Sequence, residues 1–247
     1  MMGNIAFRIY FDLVPELPRH GFLLARFLDE VEASGVASRN TADGFIKEMD
    51  KYGYVRQFDI PGNKRMRPYE PTETTMGVLV DWAMAHIATL DRLDGGHRVA
   101  SVTGDLDTIS RLHVELSRDL LGDGAEAEYS RTLALFAWVN NSKLLNGRLL
   151  GGMGKVAPGG TRVATDIDSL AELASFLNIS RTHLTRKIRE AEGIGSIFWE
   201  GRRGLSPMWI STGFLQELID ECAARLAIFD AAYEVLFGNR AGDKNRE

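Results

Sequence analysis

The stretch Ser169–Ile197, SLAELASFLNISRTHLTRKIREAEGIGSI, decides how this chain of 247 residues is read. Leu170, Leu173, Ala174 and Leu177 recur at three- and four-residue spacing and mark one face of a helix. Ala174 is small where a second helix must cross closely, and Asp166 or Asp168 stands where a first-turn cap is wanted. Asn178 follows at a break that calls for a left-handed backbone, which Asn tolerates. Ile179 is expected behind the turn and Ser180 at the start of a second helix, which turns Leu184 and Ile188 inward. Arg181, Thr182, His183, Thr185, Arg186 and Arg189 are then turned outward, and all can donate to phosphates or bases. This is the local logic of a helix-turn-helix, although one copy alone would also suit an ordinary helical hairpin.

The chain carries the pattern twice. Slid by 142 residues, Leu28–Val31 falls on Leu170–Leu173, Ser38-Arg39 on Ser180-Arg181, Ile46–Glu48 on Ile188–Glu190 and Gly53–Val55 on Gly195–Ile197. After a gap of six residues, Thr75–Leu79 faces Ser211–Leu215 and both copies run into a long amphipathic segment. Apolar spacing predicts helices at Phe22–Ala33, Thr41–Tyr52, Met76–Leu93, Asp105–Leu121, Ala125–Leu150, Ser169–Leu177, Arg181–Ala191 and Thr212–Phe237. Short β-pieces are expected at Tyr54–Ile60, Met66–Tyr69, Ser196–Trp199 and Met208–Ile210. Each copy thus reads helix, turn, helix, glycine, β-piece, basic loop, β-piece, long helix.

In the first copy, Ser38-Arg39-Asn40-Thr41, Met49–Val55, Asn63-Lys64-Arg65 and Thr72–Gly77 follow one another in a recognisable order. That run resembles a winged helix-turn-helix module of the MarR type of transcriptional regulator. The family pattern has a recognition helix ending in Leu-Glu-x-x-Gly-Tyr/Leu-Val, a wing with an Asp–Arg pair and Leu-Thr-x-x-Gly opening the next helix. Here Lys64 stands where the pattern has Asp, and Thr72 lies five residues before Gly77 rather than three. The resemblance implies DNA contacts by Ser38, Arg39, Asn40, Thr41 and Lys47, with Lys64, Arg65 and Arg67 on the wing. In the second copy it implies Arg181, Thr182, His183, Thr185, Arg186 and Arg189, with Arg202 and Arg203 on the wing. Related regulators also bind small aromatic effectors between DNA-binding lobe and helical body, which makes Trp82, His86, Phe136 and Trp138 candidates for an effector pocket.

Composition bounds the alternatives. Hydrophobic residues make up 45% and charged residues 26%, the balance of a chain with a real core rather than a disordered, collagen-like or coiled-coil one. Cys222 is the only cysteine, so no disulfide can form within the chain. No signal-peptide pattern opens the sequence, and no apolar run approaches the roughly 20 residues that span a bilayer, so a cytoplasmic protein without a membrane partner is expected. The net charge of −5 argues mildly against nucleic acid until it is localised. Ser38–Tyr69 holds seven Lys/Arg and four acids, Ser180–Arg203 six and three, so each is net +3 and the remainder carries −11. Positive charge is concentrated where the recognition elements lie.

Enzymatic readings fail on spacing. The five histidines and Cys222 make no metal-ligand motif, so neither a metal nor a cofactor is expected. Gly151–Lys155 lacks the first glycine and the Ser/Thr of a phosphate loop. The expectation is a mainly α protein of two winged helix-turn-helix domains with small β-wings, joined by long helices. The first domain would span 1–95, a helical linker 96–160, the second domain 161–238, and a tail 239–247. The expected partner is double-stranded DNA, bound by a monomeric pseudo-dimer or a homodimer. A winged-helix factor binding protein in a replication or chromosome-organising assembly is the alternative.

Overall fold

A computed structural model describes residues 1–12, 17–102, 106–121, 131–137, 142–156 and 159–238. The chain is mainly helical with small antiparallel sheets. It divides into two compact units, Met1–Ala125 with Leu226–Glu247, and Glu126–Arg225. Among the described residues no helix is long and apolar enough to cross a membrane.

Unit one contains α1 (Met2–Phe11), α2 (Leu24–Ala33), α3 (Arg39–Lys51), β1 (Val55–Gln57), β2 (Tyr69–Pro71), α4 (Glu73–Asp94), α5 (Arg98–Val102) and α6 (Leu106–Leu121). Unit two contains α7 (Arg131–Ala137), α8 (Ser142–Gly151), β3 (Arg162–Ala164), α9 (Leu170–Phe176), α10 (Arg181–Gly193), β4 (Ile197–Trp199) and β5 (Met208–Ser211). The last helix, α11 (Thr212–Tyr233), belongs to unit two up to Arg225 and to unit one from Leu226, and it ends in a π turn at Glu234–Gly238. The expected Ala125–Leu150 helix is divided between α7 and α8, with 125–130 and 138–141 outside the described residues.

The two copies share their local geometry. Both α3 and α10 are thirteen residues long. The Ser38 hydroxyl accepts from the Thr41 N–H at 3.3 Å, and the Ser180 hydroxyl accepts from the His183 N–H at 3.2 Å. A cap of this kind contributes about 1 kcal/mol by satisfying an N–H that the helix leaves without a partner. Both helices end at a left-handed glycine, Gly53 with φ 73° and Gly195 with φ 77°. The Tyr54 N–H then reaches back to the Met49 carbonyl at 2.8 Å, and the Ser196 N–H to the Ala191 carbonyl at 2.9 Å. In the strands, Val55 pairs with Pro71 and Ile197 with Ile210.

That pairing corrects the alignment beyond the basic loop. Val55 corresponds to Ile197, 142 residues on, whereas Pro71 corresponds to Ile210, only 139 residues on. The second loop is therefore three residues shorter, not six, and Thr72 rather than Thr75 is the counterpart of Ser211. The Thr72 N–H donates to the Tyr54 carbonyl at 3.0 Å, as the Ser211 N–H does to the Ser196 carbonyl at 2.9 Å. A smaller slip precedes the turn, where Gly35 (φ 64°) and Asn178 (φ 51°) hold the same left-handed place. Low identity leaves both registers ambiguous until backbone hydrogen bonds pin them.

Four local expectations change. Ser169, not Asp166 or Asp168, caps α9 by accepting from the Glu172 N–H, because its hydroxyl is the acceptor adjoining the first turn. Phe22 lies outside α2 and forms an antiparallel bridge with Tyr69. In the second repeat the corresponding segment grows into β3, which pairs with β5 and is not expected from three residues with no alternation to read. Each repeat also begins one helix earlier than expected, with α1 and α8.

Ile5, Ile9, Phe22, Phe27, Val31, Ala42 and Ile46 form one buried cluster of unit one. Each large side chain among them stabilises the fold by about 1.5–3 kcal/mol. A second cluster gathers α4, α5, α6 and the end of α11. Arg98 staples that end: its guanidinium reaches Asp91 at 3.4 Å, Asp94 at 2.7 Å and Asp230 at 2.8 Å. The hydrogen bond from Arg98 holds the Asp94 carboxyl down to about 2. In unit two, α9, α10 and the sheet share a core with α7 and α8.

Candidate nucleic-acid interface

A helix can present cations only if its other face is held. In α10, Leu184, Ile188 and Ala191 are buried, and this fixes which side chains face outward. Arg181, Thr182, Arg186 and Arg189 are exposed, while His183 and Thr185 are half-buried. Arg181, Thr182, Thr185, Arg186 and Arg189 line one surface hollow together with Glu190. The Glu190 carboxylate is engaged by Lys187 at 2.9 Å, which lowers its pKa. No described carboxylate forms an ion pair with Arg181, Arg186 or Arg189. Three guanidinium groups on one exposed helix face are thus free to meet an anion.

The loop between β4 and β5 is closed by the Glu200 N–H donating to the Pro207 carbonyl at 3.0 Å. Gly204 adopts φ 68°, and a Cβ there would lie 3.1 Å from Leu170, so the loop must turn on glycine at this point. Arg202 is exposed and without an ion pair among the described residues. Arg203 differs. Its guanidinium is bound to Glu192 of α10 at 2.5 Å, which raises its pKa. The Trp199 indole N–H donates to the same carboxylate at 2.5 Å. Glu192 therefore clamps the loop against α10, a role that eleven residues of separation from Arg203 conceal in the sequence.

The first repeat holds the same parts with its charge used differently. Ser38, Arg39, Asn40, Thr41 and Lys47 are all exposed on α3. Arg39 hydrogen-bonds Asp29 and lies 3.7 Å from Glu32, both on α2, so its guanidinium is already paired. Lys47 binds Asp43 at 2.6 Å one turn back along the helix. On the loop between β1 and β2, Lys64 and Arg65 are exposed with no described ion pair, whereas Arg67 lies 3.6 Å from Asp59. This loop is anchored at its base by Glu70, which accepts from Arg19 at 2.9 Å and from Arg56 at 2.8 Å. Arg19 also covers the Phe58 ring at 4.2 Å. Neither Arg19 nor Glu70 carries a sequence signal, because their partners lie 14 to 51 residues away.

The four effector-pocket candidates do not converge within either unit. In unit one the His86 ring stacks on Phe229 at 4.3 Å and Trp82 meets the same ring edge-on at 5.0 Å. In unit two Phe136 is fully buried and stacks on Phe214 at 6.2 Å. Trp138 lies outside the described residues. Trp82 and His86 pack on Phe229, and Phe136 belongs to the core of unit two. Among the described residues, no group of three or more His, Cys, Asp or Glu could hold a metal ion. No family model, curated protein or solved structure matches this chain.

Proposed function

We propose that this protein is a sequence-specific DNA-binding transcriptional regulator that uses two winged helix-turn-helix modules in one chain, as a single-chain pseudo-dimer. The observation that carries the proposal is the face of α10, where Arg181, Arg186 and Arg189 have no ion-pair partner among the described residues, beside exposed Thr182. Support comes also from the element order, since α8, β3, α9, α10, β4, β5 and α1, Phe22, α2, α3, β1, β2 both run helix, strand or bridge, helix, helix, hairpin. In such modules the second helix of the turn enters the major groove and the hairpin loop meets the neighbouring backbone. Free cations on α10 and at Arg202 supply the attraction to phosphates, and Thr182, His183 and Thr185 supply donors and acceptors for base edges. Because α3 and α10 present different side chains, the preferred site is asymmetric.

Selection of bound duplexes from random oligonucleotides tests this. Enrichment of one asymmetric sequence is expected; failure to enrich any sequence at low salt refutes it. The alternative, a module that binds protein, applies to the first repeat alone. It is favoured there by the pairing of Arg39 and Lys47 with acids and by Tyr52, 61% exposed just past the end of α3.

A further inference from the structure

Among the described residues, the helix α7 packed on the second repeat has no counterpart on the first. Thr132 of α7 hydrogen-bonds Ser196 side chain to side chain at 2.7 Å, and Phe136 stacks on Phe214. Leu133 and Phe136 are buried in one cluster with Ile188, Ala191 and Ile197. The Glu217 carboxylate receives the start of α7, accepting from the Thr132 N–H at 3.0 Å and the Leu133 N–H at 3.2 Å.

By the backbone register, the counterparts of Ile188, Ala191, Ser196, Ile197 and Phe214 are Ile46, Met49, Tyr54, Val55 and Thr75. All five line a half-open apolar concavity of about 210 Å³ in unit one. Across it, α1 contributes the small residues Gly3 and Ala6, and a Cβ on Gly3 would meet nothing within 4 Å. Among the described residues no helix stands in the place of α7. The rim is apolar as well: Tyr54 is 43% exposed, and Val78, the counterpart of Glu217 one turn beyond Thr75, is 59% exposed.

We propose that this concavity docks a helix of a partner protein that presents Leu and Phe three residues apart, as α7 presents Leu133 and Phe136. The same scaffold, in the same register, already binds that surface once within this chain. Among the described residues no charged side chain lines the hollow, which suits the apolar face of a helix laid in a groove rather than an anion. Val78 offers no acceptor where Glu217 does, so the partner helix brings its own N-terminal cap. The α7 of a second copy is not the occupant, since Leu133 and Phe136 are committed to their own core at 6% and 0% exposure. This docking does not depend on DNA binding.

The test is an amide chemical-shift titration of the full-length protein with a capped, Lys-flanked peptide carrying the sequence of Arg131–Ala137. A control peptide has Ser in place of its Leu133 and Phe136. Saturable shifts at Gly3, Ile46 and Val78 are expected with the first peptide and none with the control. Thr75→Phe, which installs the counterpart of Phe214, and Gly3→Leu both fill the hollow and should weaken binding by about tenfold or more. Their melting temperatures should stay at or above that of the unaltered protein; if one melts early, the other and the control peptide carry the comparison. No saturable shift, or equal shifts with the control, overturns the proposal. Saturation of the same amides by toluene but not by the peptide also overturns it and assigns the hollow to a small apolar ligand.

Discussion

Replacing Arg181, Arg186 and Arg189 together with Ala should change how DNA binding responds to salt more than it changes the fold. All three side chains are on the outward face of α10, and among the described residues none takes part in an ion pair or in the core that holds unit two. Each phosphate neutralised by a cation contributes about −0.9 to the slope of log K against log salt. Without these three cations the slope should flatten by about 2.7. Arg39→Ala and Lys47→Ala should do much less. Those cations must leave Asp29, Glu32 and Asp43 before they reach a phosphate, so their net neutralisation is small. Fluorescence anisotropy on the selected duplex, from about 50 to 300 mM salt, reads both slopes in the same buffer. An unchanged slope in the triple variant refutes the assignment of α10. An equal loss in the α3 pair refutes the argument that intramolecular pairing withdraws its charge.

Two further predictions concern stability. Asn178 holds φ 51°, so Asn178→Ala should destabilise the protein by about 1–2 kcal/mol in urea titration while Asn178→Gly costs far less; equal losses would remove the backbone argument. His113 on α6 is 1% exposed among Phe7, Phe11 and Trp82, with only the Asn4 carbonyl at 3.4 Å from its ring nitrogen, and burial pushes its pKa down to about 4. Its neutral form is the folded one, so this contribution is complete above the unfolded value of about 6.5 and is lost as pH falls toward 4, about 3 kcal/mol in all. His113→Phe should flatten that part of the stability profile, and an unaltered profile would show that another group carries it.

The elements nearest one another in sequence are the most legible. The turn at Asn178, the Ser38 and Ser180 caps and the glycine that ends each second helix rest on hydrogen bonds reaching about four or five residues at most, so their chemistry is written where they occur. The alternation of buried and exposed positions in α10 likewise follows from helical period, and it locates the exposed arginines correctly. Features set by distant partners are not legible. The three residues of β3 form a strand only because β5 lies beside them, and Glu192 becomes a clamp only once the loop folds back over it.

Sequence by itself determined the helix, turn, helix pattern that occurs twice, the caps and glycines that bound α3 and α10, and the places where basic residues are concentrated. Tertiary structure decided how that charge is used: Arg39 lies against the acids of α2, while Arg186 forms no ion pair among the described residues. It also decided that one repeat is closed by α7 and the other leaves an apolar hollow. Both outcomes depend on segments many residues apart coming together. A helical period cannot encode that, because it specifies which face a side chain takes but not what that face will meet.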